Sequence, residues 1–218
     1  MPDDSPIAAP EPGPAPPPTA SRRTPSGSVD PGYFVDLYEA DDDPWAYRSS
    51  AYEAAKYGHT LQALPRERYG AALEIGCSVG VLTAALAERC DALLGIDVAP
   101  AALEHAREWC ERLPHVEIAQ AAVPGETPEG PFDLVVMSEV GYYLSPADLD
   151  TLRRQIAEAL ATGGHLILVH WTGETDYPLT ADDVHGAFAA SPHWRPAHAS
   201  RHPSYRLDVM ERVPSTAP

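Results

Sequence analysis

Glu74, Gly76, Ser78 and Gly80 stand together in the stretch Leu73-Glu74-Ile75-Gly76-Cys77-Ser78-Val79-Gly80, and a second acid, Asp97, follows about 20 residues later. Glu139 and His170 each end an apolar run, and Tyr142, Tyr143 and Trp171 stand beside them. These residue types define the available chemistry. A carboxylate accepts hydrogen bonds from a ribose hydroxyl. Glycine lets a backbone come close to a ligand, because no Cβ intervenes. Glutamate and histidine move protons, and flat aromatic rings stack on sugars or rings.

Those residues need elements to hold them. Ala71 to Ile75 is a short apolar run that predicts a buried strand. Val79, Leu82, Ala85 and Leu86 then recur at helical spacing. Strand, glycine turn and helix form the first half of a βαβ unit, which binds ligands at the carboxyl end of its strand. Ala92 to Asp97 predicts a second buried strand, ending on its acid.

Three chemistries compete for the turn. A nicotinamide dinucleotide site needs G-x-G-x-x-G, and Ser78 and Val81 stand at two of its glycine positions. Gly76-Cys77-Ser78-Val79-Gly80 satisfies the hydrolase elbow G-x-S-x-G. That elbow normally follows several strands and an oxyanion loop, and neither precedes Ala71 here. Glu74-x-Gly76-x-x-x-Gly80 resembles motif I of the S-adenosylmethionine (SAM) methyltransferases. The acid at the end of the second strand suits the dinucleotide and methyltransferase readings, and a hydrolase has no use for it.

Composition narrows the field further. With 218 residues the chain can bury one substantial core. A net charge of −17 gives no electrostatic footprint for nucleic acid or an anionic membrane, so a small neutral or cationic partner is expected. Cys77, Cys90 and Cys110 are odd in number and lack a C-x-x-C pair, which fits reduced structural thiols in the cytoplasm. No apolar run of membrane-spanning length occurs. The N-terminus lacks the apolar core of a secretion signal, and no apolar run follows Arg22-Arg23.

Residues 1–28 are dominated by proline, alanine and serine, and are expected to form a disordered arm. Residues 29–70 should form a helical cap. Its first helix carries Tyr33, Phe34, Leu37 and Tyr38; its second, from about Ser49 to Leu64, carries Tyr52, Lys56, Tyr57 and Leu61. The cap packs on the core, serves as a lid, or does both. Residues 71–218 should form the ligand-binding core.

Within the core, Pro100 opens a helix to about Arg112. Strands are expected at His115 to Ala119, Phe132 to Met137 and His165 to His170. A helix from Pro146 to about Leu160 should stop at Gly163-Gly164. Thr180 should cap a helix to Ala189. Two adjacent strands, His193 to Ser200 and Tyr205 to Val213, close the chain. The alternation predicts a Rossmann-like, doubly wound, mostly parallel α/β sheet with helices on both faces. His193, His198 and His202 have no zinc-ligand spacing, and no metal is expected.

The chain from about Tyr33 to Val213 resembles the class I SAM-dependent methyltransferases, and within them the nodulation protein S family. The residues that carry the likeness are Tyr33-Phe34-x-x-Leu37-Tyr38, Asp43-Pro44-Trp45, Lys56-Tyr57 and the glycine turn. They continue through Phe132 to Leu144, which includes Ser138-Glu139-Val140-Gly141-Tyr142-Tyr143-Leu144, and through His170-Trp171 and Asp176-Tyr177-Pro178-Leu179.

The resemblance implies a seven-stranded sheet with an antiparallel closing strand, SAM as cofactor and S-adenosyl-L-homocysteine as product. It implies methylation of an amine on a small molecule, such as an amino sugar. Glu74, Gly76, Cys77, Ser78, Gly80, Asp97, Val98, Ala122, Val123 and Ser138 would hold the cofactor. Ala122 stands where many methyltransferases place an acid for the adenine, so adenine would rest on backbone groups from Ala121 to Val123. Tyr142, Tyr143, Trp171, Tyr52 and Lys56 would meet the acceptor. Glu139 or His170 would take the amine's proton or fix its lone pair. A SAM-binding regulator without catalysis and a Ser78 hydrolase are the alternatives. The acceptor and the oligomeric state stay open.

Overall fold

The computed structural model describes residues 19–214. Seven strands form one sheet in the order β3-β2-β1-β4-β5-β7-β6. They are β1 Tyr69–Ile75, β2 Cys90–Asp97, β3 Val116–Gln120, β4 Phe132–Ser138, β5 Leu160–Trp171, β6 Trp194–Arg201 and β7 Tyr205–Arg212. Strands β1 to β5 pair in parallel. β7 inserts antiparallel between β5 and β6, so the closing strand is antiparallel, as the resemblance implies.

The period of two decides which helices each strand meets. In β4, Val135 and Met137 point to one core and Leu134 and Val136 to the other. In β5, Leu166 and Leu168 alternate with Ile167 and Val169 in the same way. The first face packs against α5 (Pro146–Ala159) and α6 (Ala181–Ala189) through Leu149, Leu152, Ile156, Val184 and Phe188. The second packs against α2 (Ala51–Gln62) and α3 (Val81–Ala87) through Tyr52, Leu82 and Leu86. Each such side chain contributes roughly 1.5–3 kcal/mol when fully buried.

A third, smaller core joins α1 (Pro31–Ala40) to α4 (Pro100–Trp109) through Tyr38, Val79, Ala99 and Ala102. It seats the cap at the carboxyl edge of the sheet. The cap therefore packs on the core and also reaches the ligand edge.

Two boundaries differ from expectation. The expected arm covered residues 1–28, of which 1–18 lie outside the described residues. Residues 19–28 are packed. Thr19 and Ala20 donate backbone N–H groups to Asp176 Oδ2 at 2.7 Å each. Ser26 Oγ reaches Asp148 Oδ2 at 2.6 Å, and Val29 N–H reaches the Tyr143 carbonyl at 2.7 Å. Two distant aspartates supply partners that local composition does not reveal.

The second difference lies after α5. The helix ends at Ala159, and β5 begins at once with Leu160 opposite Phe132. The register then shifts between Phe132 and Leu134, and Gly163 takes φ +79° inside the strand. Gly163 and Gly164 thus serve an irregular strand entry and do not end the helix. Pairing with β4 outweighs the local glycine signal.

Candidate active site

The turn after β1 is built on backbone bonds. Gly76 and Cys77 N–H both donate to the Ile96 carbonyl, at 2.8 and 2.9 Å. Gly76 and Gly80 have φ of +83° and +84°, where a side chain is strained. Their space is already filled. A Cβ on Gly76 would stand 2.3 Å from Val140 Cγ2, and one on Gly80 2.8 Å from Ala106 Cα. Close packing, in addition to ligand approach, therefore requires these glycines.

Asp97 secures the turn to the end of β2. Its Oδ2 accepts the Ser78 N–H at 3.0 Å, and its Oδ1 accepts the Ala99 N–H at 3.1 Å. Burial raises its carboxyl pKa, and the backbone N–H groups of Ala99 and Ser78 oppose the rise. Each oxygen keeps capacity for a further donor.

A cleft opens beside it. Gly76, Ser78, Asp97, Val98, Val123, Ser138, Glu139 and Tyr143 line it. A smaller chamber adjoins it across Gly76, Ser78, Ser138 and Glu139. Glu74 and Cys77 line that chamber. Burial pushes the Cys77 thiol well up, which suits a spacer and not a nucleophile. Gly80 lines neither space.

Glu139 stands where the two spaces meet. It has φ +58°, unusual for a side chain of its size and frequent at functional positions. Its Oε1 accepts the Lys56 ammonium at 2.6 Å. Its Oε2 accepts the Trp171 N–H at 2.9 Å and the Tyr142 hydroxyl. Lys56, Tyr142 and Trp171 are thus brought to the site as supports of Glu139; none of the three lines the cleft. Burial alone would lower the Lys56 pKa, but the Glu139 and Glu53 carboxylates more than offset it and raise it. Tyr52 lies deeper, under the Lys56 ammonium and edge-on to Tyr205. Of the four expected aromatic contacts, Tyr143 alone lines the cleft; the other three fill the shell behind it.

His170 is not on the cleft. It is fully buried; its Nε2 accepts the Gly141 N–H at 3.0 Å, and its Nδ1 lies 3.1 Å from His185 Nε2. His185 Nδ1 in turn lies 2.9 Å from Asp208 Oδ2. Burial, His185 and Lys56 hold the His170 pKa well below the usual histidine value. A neutral ring with both nitrogens engaged has no free position for an acceptor proton, so the expected catalytic role becomes one of holding the Gly141–Tyr143 turn.

The sequence reading missed several residues of the cleft. Phe34, Tyr38, Trp45 and Tyr47 wall it from the cap, and Glu53 and Tyr57 wall the chamber from α2. Aromatic density in the cap was the available signal. Ser50 caps α2 by accepting the Glu53 N–H at 3.3 Å. The Glu53 side chain turns inward, with its two oxygens 3.0 and 2.9 Å from Lys56 Nζ.

Ser78 Oγ bonds the Tyr38 hydroxyl, not a histidine, so the hydrolase elbow lacks its base. At the expected adenine edge, the Ala122 N–H donates to Glu126 Oε2 at 2.9 Å and the Ala121 N–H to the Asp97 carbonyl. Those donors are engaged inside the protein, and Ala122 does not line the cleft. Among the described residues no group of three histidine, cysteine or acidic side chains has a metal-binding arrangement, and no helix is long and apolar enough to cross a membrane.

Glu74 supplies one more feature. It is 1% exposed; the Thr83 hydroxyl lies beside its carboxyl and favours the charged form, but its Oε2 makes no hydrogen bond of normal length and angle. Burial pushes its carboxyl up to about 8. A buried acid with an open oxygen calls for a donor or a cation.

The chain is 34% identical over 130 residues to nodulation protein S of Rhizobium tropici, 59% of this chain and 55% of that protein. It is 34% identical over 130 residues to nodulation protein S of Bradyrhizobium diazoefficiens, 59% of this chain and 62% of that one. The matches thus span less than two thirds of these relatives. A crystal structure from Pseudomonas syringae, assigned as a methyltransferase, is 40% identical with a TM-score of 0.66, over 74% of this chain and 99% of that one. The N-methyltransferase NodS from Bradyrhizobium japonicum WM9, solved with S-adenosyl-L-homocysteine, has a TM-score of 0.75 at 24% identity, over 84% of this chain and 98% of that one, and shows the same fold. The model of the family Nodulation protein S (NodS) matches residues 35–172, more than half of the 218-residue chain, and the chain belongs to that family.

Proposed function

We propose that this chain is a SAM-dependent methyltransferase of the cytoplasm that moves a methyl group to an amine of a small molecule, an amino sugar or a related natural product. Asp97 carries the reading. It is a carboxylate at the end of β2, on the cleft, bonded to the glycine turn and to the start of α4. It has the capacity to accept ribose hydroxyls.

The residues fit the cofactor in a second way. SAM carries an ammonium and a sulfonium, and the buried Glu74 carboxyl borders the inner chamber. When bound, SAM supplies a methyl group already activated by positive charge. This chain's residues then bind and align. Asp97 would hold the ribose, and Gly76, Ser78 and Ser138 border both spaces. Glu139, fixed by Lys56, Tyr142 and the Trp171 N–H, would orient the acceptor amine or take its proton at a carboxylate oxygen. His170 keeps the Gly141 turn that carries Tyr142. Alignment of this kind can lower a barrier by several kcal/mol. Three buried free cysteines agree with a reducing compartment.

Calorimetry on the full chain tests the reading. S-adenosyl-L-homocysteine should bind in the micromolar range and NAD should not, and Asp97→Ala should weaken binding by roughly 10- to 100-fold, as the loss of a charged hydrogen bond predicts. Binding of NAD alone overturns the proposal. Binding of neither removes the SAM reading. Binding without transfer to any amine in a screen would mark a non-catalytic SAM binder.

A further inference from the structure

Three carboxyl groups line the inner chamber: Glu53, Glu74 and Glu139. Glu53 is 6% exposed and Glu74 1%. One ammonium pairs with two of the three. Lys56 lies between Glu53 and Glu139, 2% exposed, and is not on the chamber wall. The chamber wall holds no lysine, arginine or histidine. Glu74 Oε2, fully buried on that wall, makes no hydrogen bond of normal length and angle. Lys56 offsets one of the two charges of Glu53 and Glu139, and burial keeps a proton on Glu74 while no cation is near. A cation in the chamber would pair the remaining carboxylate and let Glu74 give up that proton.

The methyl donor and its product differ in this property. The donor bears a sulfonium, and the product bears an uncharged thioether at the same position. In a water-poor site a charge difference counts for far more than in water. We propose that the inner chamber is a charge filter, in which Glu53, with Glu74 behind the glycine turn, makes the site favour the cationic methyl donor over its neutral product. Loss of the charge on transfer would then loosen the product. The inference rests on the SAM reading above, and it gives Glu53 a binding role that neither the glycine motif nor the resemblance assigns.

Calorimetry with three probes tests it on the full chain: SAM, sinefungin (a stable analogue with an ammonium-bearing carbon in place of the sulfonium) and S-adenosyl-L-homocysteine. The wild type should bind the two cationic ligands about tenfold or more tighter than the neutral one. Glu53→Gln keeps the size of the side chain and an acceptor for Lys56. It should reduce that preference to about threefold or less by weakening the cationic ligands only. Retained affinity for the neutral product would also show that the variant is folded. A wild-type preference near unity overturns the filter, and so does an unchanged preference in Glu53→Gln. If that variant does not fold, Glu74→Gln is judged by the same two ratios. Failure of all three ligands to bind wild type would remove the SAM reading itself, an outcome distinct from binding without charge preference.

Discussion

Lys56 Nζ stands 2.6 Å from Glu139 Oε1, a contact between residues 83 positions apart that ties α2 of the cap to the carboxyl end of β4. The same ammonium holds Glu53. Removing one member of a buried ion pair leaves the other charge uncompensated. Lys56→Met should therefore lower stability by about 3–5 kcal/mol in urea denaturation. Adding Glu53→Gln to it should recover part of the loss. A Lys56→Met protein as stable as wild type would contradict the pairing.

Glu139 should matter for transfer and not for cofactor affinity. Glu139→Gln keeps the size of the side chain and loses its charge. Methyl transfer to a responsive amine should fall by roughly 100-fold or more, while affinity for S-adenosyl-L-homocysteine stays within about threefold. Wild-type turnover in this variant would remove Glu139 from the chemistry.

His170 should behave as a positioning residue. It touches Gly141 and His185, not the cleft. His170→Phe should lower kcat by roughly 10- to 100-fold through misplacement of the Gly141–Tyr143 turn. The shape of the pH profile of kcat/KM should stay as in wild type. Loss of one limb of that profile would instead identify His170 as the base.

Glu74 should make stability depend on pH. Its carboxyl is pushed up to about 8 in the folded protein, against an ordinary value of 4.5. A raised folded value means that the folded state holds a proton which the unfolded state releases. The contribution is fully present below about pH 4.5 and is lost as pH rises through about 8. Denaturation of the ligand-free protein near pH 5 and near pH 9 should show a loss of a few kcal/mol on the alkaline side. Glu74→Gln should lack that component. Parallel slopes in the two proteins would rule the effect out.

Much of the frame was legible because it is local. The βα alternation, the two glycines, Asp97 at a strand end and Pro146 and Thr180 at helix starts all follow from period and residue type. The cap was legible as helices with aromatic faces. Its lining of the cleft was not, since Phe34, Tyr38 and Tyr47 meet strand ends far away in sequence. The segment 19–28 was misjudged for the same reason: Asp148 and Asp176 hold it from more than 100 residues away.

By itself, then, the sequence determined the sheet, the turn and the acid at the end of β2, because backbone geometry and hydrophobic period act over a few residues. Tertiary structure decided which polar side chains face the cleft. Lys56, Tyr142 and Trp171 support Glu139 from behind, His170 is buried, and Glu53 turns from α2 into the chamber. Those outcomes follow from the pairing of buried charges and donors across the fold. A buried polar group must find its partner wherever packing places one, and spacing along the chain does not encode that distance.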